Sequence, residues 1–248
     1  MPDVSVIMPV YNGELTISKS IESVMAQTYQ NIELIIVDDL SIDASTSIIK
    51  HYSNIHANIV YLTNKYNKGV SGARNTGIEC ARGRYVCFLD CDDRLKPCSI
   101  ELRLAALKSN RWDVVYTDFQ KILSGGKVKY ISVVRFINIH SIYARNIIPN
   151  LTGMYDTYRM GKFFQKNVRH EDYVMWHDIL KDTKRIGVIN ISTAFYTVSP
   201  YSLSGNKFKA AIWHWKNLRY DFNLSILRSF YFFAQYVIHH IRSAIFER

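Results

Sequence analysis

The sequence predicts an α/β fold in which an open, mostly parallel sheet is flanked by helices, with a small antiparallel part and a C-terminal helical extension. Three observations predict it. Short Val/Ile/Leu runs alternate with helical patterns through the first half of the chain, which implies βαβ crossovers. Those runs are almost continuously apolar, as strands buried on both faces must be. Beyond Asp118 the alternation gives way to a hairpin signal, one more helix and strand, and a basic aromatic tail. The 248 residues, 48% hydrophobic and 21% charged, suit one large domain with an appendage and exclude disordered or collagen-like chains.

The predicted strands of the first half are Val4–Met8, Ile32–Val37, Ile59–Leu62, Tyr85–Leu89 and Val114–Tyr116. Between them the helical patterns fall at Thr16–Ala26, Ala44–Tyr52, Val70–Ala81 and Ile100–Lys108. Ser41 to Ser45 offer caps for the second helix, and Ser99 precedes a helix with Glu101 in its first turn. Further on, Ser124-Gly125-Gly126 is a turn joining Tyr116–Ile122 to Val128–Val134 as an antiparallel hairpin. Asn138–Ile148 reads as a short helix ended by Pro149, His170–Lys181 as a helix, and Ile186–Thr197 as a strand.

Lys and Arg number 31 against 21 acids, a net charge of +10, which suits nucleic acid, an anionic membrane or a phosphate-bearing ligand. Half of that excess lies in 205–248, with seven Lys/Arg against Asp221 and Glu247. On a helix there, Leu227, Phe230, Ala234, Val237, Ile241 and Ile245 share one face. Such a basic amphipathic helix either lies in a bilayer interface or packs on its own domain or a second copy, giving a homodimer. No run of about 18 uncharged apolar residues is present, so a spanning helix is not expected. Met1–Val10 reads as a strand, not a signal peptide. Cys80, Cys87, Cys91 and Cys98 lack the paired spacing of a zinc site and read as free thiols of a reducing cytoplasm.

Ligands of doubly wound sheets bind at the carboxyl ends of the strands. Those ends are Pro9-Val10-Tyr11-Asn12, Asp38-Asp39 and Asp90-Cys91-Asp92-Asp93, so polar groups far apart in sequence converge on one rim. The three carboxylates of residues 90–93 repel one another unless a cation joins them. A hard divalent metal, Mg²⁺ or Mn²⁺, bridging to substrate phosphates would relieve this. An isolated D-x-D is more often a solvated turn, and the placement after a buried strand is what favours the metal. Asp38-Asp39 can accept from a base or ribose, or simply cap the next helix. Asn67–Asn75 brings Gly69 and Gly72 to a helix start with Lys68 and Arg74, an anion-friendly loop that matches neither a Walker nor a dinucleotide motif. His170-Glu171-Asp172 opens the later helix, where a carboxylate can serve as a general base or merely favour the helix dipole.

Taken in order, Val4–Asn12, Glu33–Asp39, Lys68-Gly69 with Ala73-Arg74-Asn75 and Gly77, Gly83-Arg84-Tyr85 with Phe88–Asp93, and Glu171-Asp172 resemble the family 2 glycosyltransferases of GT-A fold. The match is dense from Val4 to Asp93 and reaches about residue 175. The resemblance implies a Rossmann-like GT-A domain over 1–204, with a nucleotide-binding half (1–118) and an acceptor half (119–204), followed by the extension 205–248. It implies inverting transfer of one hexose from a nucleotide diphosphate sugar, UDP by analogy, with Mn²⁺ or Mg²⁺. Pro9, Tyr11 and Asp39 would line the nucleoside pocket, with Asp38 and Glu171 also substrate-binding. Arg74 would meet base or phosphate, Asp90 the ribose side and Asp92 the metal, and Asp172 would be the general base. The Q-x-x-R-W signature of polysaccharide synthases is absent, Arg111-Trp112 lying elsewhere. Residues 202–207 followed by Trp213 and Trp215 are similar to small bacterial enzymes that add one sugar to an undecaprenyl-diphosphate-linked intermediate of O-antigen or capsule. That similarity places the chain in the cytoplasm, peripheral on the inner membrane.

Two other readings compete. A nucleotidyltransferase would carry a cation-bearing Gly-rich loop after the first strand, which Pro9–Gly13 lacks. A nucleic-acid binder would cluster cations and aromatics, as Phe208–Tyr220 does, but zinc-finger spacing and aromatic RNA-binding motifs are missing, so no nucleic-acid partner is expected.

Overall fold

The computed structural model describes residues 1–123, 125–136, 138–198 and 207–246. Its first part runs β1 (Val4–Val10), α1 (Ile17–Met25), β2 (Ile32–Asp38), α2 (Ser45–Ile55), β3 (Ile59–Thr63), α3 (Val70–Cys80) and β4 (Tyr85–Phe88). These four strands pair in parallel in the order β3-β2-β1-β4, with Val6 opposite both Leu34 and Cys87. The chain continues through β5 (Arg94–Leu95), α4 (Ser99–Asn110), β6 (Val114–Ile122), β7 (Val128–Ile131), α5 (His140–Ala144), β8 (Met154–Asp156), α6 (Thr157–Met160), α7 (Glu171–Asp182) and β9 (Ile186–Thr197). After β9 come α8 (Lys207–Lys216), a π-helical turn at Asn217–Asp221 and α9 (Ile226–Phe246).

The sheet extends past β4 through β8, β6, β9 and β5, with β7 on β6. The mostly parallel sheet with an antiparallel part is as expected, but the antiparallel part is larger than a single hairpin. Two strands are unforeseen: the two-residue β5, antiparallel to β9, and β8, which lies antiparallel between β4 and β6. Both are too short to show a period of two. The two runs predicted at Val114–Tyr116 and Tyr116–Ile122 are one strand, β6, which pairs in parallel with β9. Its hairpin with β7 closes through Gly125 and Gly126, both at positive φ, while Ser124 lies outside the described residues. The helix expected over Asn138–Ile148 is only α5, and the segment after it is irregular.

The helix starts are satisfied only in part as expected: Asp43 Oδ1 accepts from the Ser45 N–H that opens α2, at 3.0 Å. Ser99 is the first residue of α4 and does not cap it; Gln27 Oε1 accepts from the Ile100 N–H at 3.0 Å. Around α2, Ser41 and Ser45 accept instead from the Asn12 and Gly13 N–H groups, tying the loop after β1 to the helix.

Alternate strand residues feed two cores, one on each sheet face. Val4, Val6 and Met8 pack with Ile17, Ile21 and Leu104, while Ile7, Ile35 and Val37 pack with Ile78, Phe88 and Trp176. Trp176 of α7 is fully buried, edge-on to Phe88 and Tyr155, which fixes the start of α7 at the rim. Close seating of α3 on β1 depends on Gly77, where a Cβ would lie 2.5 Å from Ile7. Buried Glu33 accepts from Ser5 Oγ and from the backbone and side chain of Arg82; burial disfavours its charge, yet these donors hold its pKa below the usual value.

The C-terminal segment shares the second core through Leu218, Phe222, Leu224 and Phe232, with the Phe222 ring stacked 3.8 Å from His177. In α9 the expected apolar stripe is not the packing face. Leu227, Phe230, Ala234, Val237 and Ile241 are all exposed, whereas Ser229 and Phe232 are buried and Phe233 and Tyr236 half-buried. The Ile245 side chain and residues 199–206 lie outside the described residues. Among the described residues no helix is long and apolar enough to cross a membrane.

Candidate active site

The rim begins with Asp38 and Asp39, where β2 ends and parallel pairing stops. Asp38 is buried and serves its own loop: Oδ1 accepts from the Ser41 N–H and Oδ2 from Thr46 Oγ1. These bonds tie the loop to α2 without capping a helix N–H, and Asp38 does not line the cleft. Asp39 reaches across to the next crossover. Its Oδ1 accepts from Asn64 Nδ2 at 2.6 Å and its Oδ2 from the Gly69 N–H at 2.8 Å. The glycine N–H expected to face a ligand anion therefore faces the Asp39 carboxylate. Gly69, at φ 131°, can adopt the turn that makes this possible. Beyond β1, Tyr11 is half-exposed with Lys68 Nζ 4.4 Å from its ring, and Pro9 is buried within the strand.

One turn into α3, Arg74 is buried and clamped. Its guanidinium meets Asp90 Oδ1 at 2.7 Å, Glu171 Oε1 at 2.9 Å and Gln165 Oε1 at 3.3 Å. Burial opposes its charge, but Asp90, Glu171 and Asp172 more than compensate and raise its pKa. Arg74 thus joins the end of β4 to the start of α7 and holds two carboxylates that the sequence leaves eighty residues apart in order of magnitude. Further along the same turn, Asp93 is buried and accepts from the Thr197 N–H. Burial, and then Asp90 and Asp92, push its pKa well up. Asp92 is half-buried and its pKa is raised by burial and by Asp90, with no cation paired to it among the described residues.

Asp172 lies in the first turn of α7, and Asn146 Nδ2 donates to its Oδ2 at 3.2 Å. Burial, then the neighbouring Glu171, push its carboxyl up to about 6, against the pull of Arg74. A pKa there suits a base at neutral pH.

These groups share one cavity of about 650 Å³, lined by Arg74, Asp90, Asp92, Asp93, Glu171 and Asp172. Pro9, Tyr11, Asp38 and Asp39 do not line it; they sit by the ends of β1 and β2. The opposite wall brings in His170, named with the Glu171-Asp172 motif, and Trp213 of the tail, together with Lys121, Asn150, Arg169 and Tyr196, which the sequence does not single out. These come from β6, β9, α8 and irregular segments, where no periodic pattern marks which side chains meet. A cavity of similar size, about 660 Å³, lies between α5 and α9, but its lining is largely apolar and holds no carboxylate. The chemistry therefore belongs to the acidic cleft.

For a metal, no group of three or more His, Cys, Asp or Glu side chains among the described residues is arranged to hold an ion unaided. The donor set still fits a hard cation, since Mg²⁺-type sites use one or two carboxylates and take their remaining oxygens from phosphates and water. Asp92, uncompensated and beside Asp90, is such a carboxylate.

Residues 5–165 match the family model described as glycosyl transferase family 2. An Escherichia coli protein, the UDP-Glc:alpha-D-GlcNAc-diphosphoundecaprenol beta-1,3-glucosyltransferase WfgD, is 35% identical over 246 residues, 98% of this chain and 96% of that protein. Among solved structures, S. aureus TarS 1–349 in complex with UDP-GlcNAc superposes with a TM-score of 0.74 at 20% identity, covering 98% of this chain and 73% of that one. The mannosyltransferase PcManGT from Pyrobaculum calidifontis, in complex with GDP-Man and Mn²⁺, gives 0.67 at 16% identity, over 98% of this chain and 75% of that one. The two structural likenesses bear on fold, and the fold is GT-A.

Proposed function

This chain belongs to glycosyl transferase family 2, and on that premise we propose that it moves a single hexose from a UDP-linked donor to a sugar carried on undecaprenyl diphosphate, with inversion and with a divalent metal. The observation that carries the reading is the meeting of Asp92 and Asp172 in one cleft, joined through the Arg74 clamp on Asp90 and Glu171. The relative's UDP-glucose donor and diphosphoundecaprenol-linked acceptor support the choice of substrates.

Each residue then has a task. Asp172, with its pKa near 6, is ionised at neutral pH yet basic enough to take the proton of the attacking hydroxyl. Asn146 fixes the orientation of that carboxylate. Attack from the Asp172 side, opposite the departing diphosphate, inverts the anomeric carbon in a single displacement. Asp39, held by Asn64 and Gly69, retains lone pairs for the base, and Tyr11 offers a ring beside it. Asp92, with Asp90 beside it, would hold Mn²⁺ or Mg²⁺, which when bound offsets negative charge on the leaving diphosphate. Arg74 acts chiefly as a positioning residue, because its charge is already committed to two carboxylates.

The exposed face of α9 suits peripheral attachment to the cytoplasmic leaflet. Leu227, Phe230, Ile238 and Ile241 stand out of it, flanked by Arg228 and Arg242. Apolar insertion combined with attraction to anionic lipid is how such helices bind a bilayer.

The test is an assay of UDP release from UDP-glucose and related donors, with GlcNAc α-diphosphate on a short lipid as acceptor. Release that requires acceptor and stops with EDTA is expected, with the new linkage inverted by NMR. Pyrophosphate release from a nucleoside triphosphate instead, or transfer with retained configuration, overturns the reading.

A further inference from the structure

The second wall of the cleft holds polar groups that the steps above leave unused. Lys121, near the end of β6, and Arg169, just before α7, both line the cavity. Neither makes an ion pair with any described residue, although Asp90, Asp92, Asp93, Glu171 and Asp172 share the cavity. Each lies over an aromatic face instead: Lys121 Nζ is 5.9 Å from the Tyr196 ring centre and Arg169 Cζ 5.3 Å from that of Trp213. A ring face holds a cation in place without neutralising it, so the charge stays available to an anion. On the same wall Asn150 is only 9% exposed, yet its carboxamide is unpartnered at both ends. Oδ1 is sealed from solvent, and Nδ2 makes no hydrogen bond to a described residue. Buried amides are ordinarily bonded, so an amide left with its Nδ2 free at a cavity wall is a donor open to a partner.

We infer that Asn150, Lys121 and Arg169 form the acceptor subsite, and that its preferred acceptor is a sugar bearing a phosphate or diphosphate. Asn150 Nδ2, the end of the carboxamide that is not sealed, donates to a sugar hydroxyl oxygen, and the two cations hold phosphate oxygens through charge-assisted bonds. This deepens the transferase reading and rests on it. The acceptor side is favoured because Arg169 leads directly into the turn bearing Asp172, the group that the attacking hydroxyl must reach. On the donor side Asp90 already has Arg74 as its cation.

Two acceptors that share sugar and tail separate the possibilities: undecyl GlcNAc α-diphosphate and the undecyl GlcNAc glycoside without phosphate. The unaltered protein is expected to prefer the diphosphate by about 10- to 100-fold in kcat/KM, the usual worth of a charged hydrogen bond. Lys121→Ala and Arg169→Ala each bring that ratio toward one by raising the acceptor KM, while Lys121→Arg and Arg169→Lys keep most of it. Asn150→Ala raises KM for both acceptors alike. A raised donor KM in the cation variants would assign Lys121 and Arg169 to the donor diphosphate and overturn the inference. So would an unaltered protein indifferent to the diphosphate, or one that uses neither acceptor while still releasing UDP to water. No UDP release under any condition sinks the transferase reading itself, a separate outcome.

Discussion

The two walls of the cleft are built on opposite terms. On the side of β1, β2, α3 and β4, the candidates in and beside the cleft, Asp92 apart, already have protein partners: Asp39, next to the cavity, has Asn64 and Gly69, and Arg74 has Asp90 and Glu171. On the side of β6, the irregular segment after α5 and the start of α7, the side chains of Lys121, Asn150 and Arg169 make no ion pair or hydrogen bond with a described residue, the two cations resting only on aromatic rings, and Asn146 donates to Asp172 at 3.2 Å. Satisfied groups hold a fixed shape and stabilise the fold, whereas unsatisfied ones cost stability until a ligand arrives. On the proposed reading, the preformed wall would take the donor and the second wall would be completed by the acceptor.

Substitutions should break the two walls in different ways. The largest effect is expected at Asp172→Asn, which removes the base: kcat should fall by about 10²- to 10⁴-fold. The same change should stabilise the protein. A carboxyl whose folded pKa lies above its unfolded value contributes stability below the unfolded pKa and loses it as pH rises through about 6. The neutral Asn variant avoids that loss, so its Tm should exceed the native value by roughly 2–6 °C at pH 8, with the gap closing below pH ~4 in scanning calorimetry. A variant that is both slow and less stable would remove the idea of a strained base.

Next in size is the acid limb of the rate profile. If ionised Asp172 is required, kcat/KM should fall about tenfold per unit once pH drops below about 6, and Asp172→Asn should lack that limb. A profile flat to pH 5 would count against it.

On the satisfied wall, Asp39→Ala should cost stability as well as activity. It strands the Gly69 N–H and the Asn64 amide, so unfolding free energy should drop by about 1–3 kcal/mol, with a raised donor KM. Urea titration checks the first part, and an unchanged midpoint would erase the contrast between the walls. The smallest effect lies outside both. Replacing Leu227, Phe230 and Ile241 together by Ser should leave Tm within about 2 °C, because these side chains are exposed, while weakening sedimentation with anionic vesicles. Equal vesicle binding by the triple variant would detach α9 from the membrane reading.

The satisfied wall is also the legible one. Its strands are continuous apolar runs, and the ends of β1, β2 and β4 name the rim without any knowledge of packing. What sequence periodicity did not give was which partner each rim group takes. Asp38 and Asp39 read alike, yet one serves its own loop and the other reaches Gly69. The second wall was largely hidden. β8 is too short to carry a period, Asn150 sits in an irregular stretch just past the Pro149 that ends the expected helix, and Trp213 meets the cleft through the docking of α8. The stripe on α9 left open, for a related reason, what covers it. Apolar spacing located a real face, but the packing went to Phe232, Phe233 and Tyr236, whose rings contact histidines and aromatics of α5, α8 and its own helix.

The pairing of β6 with β9 also governs the order in which the molecule can come into being. Some seventy residues separate Val114 from its neighbour Ile186, so the far wall cannot close while β9 is still unmade. Pairings between strands so distant along the chain are slow to form because loop closure must come first. During synthesis the wall built on β1 to β4, whose strands all precede residue 90, can therefore assemble ahead of its counterpart. A nascent chain stalled midway would be expected to recognise a nucleotide before it could carry out any transfer.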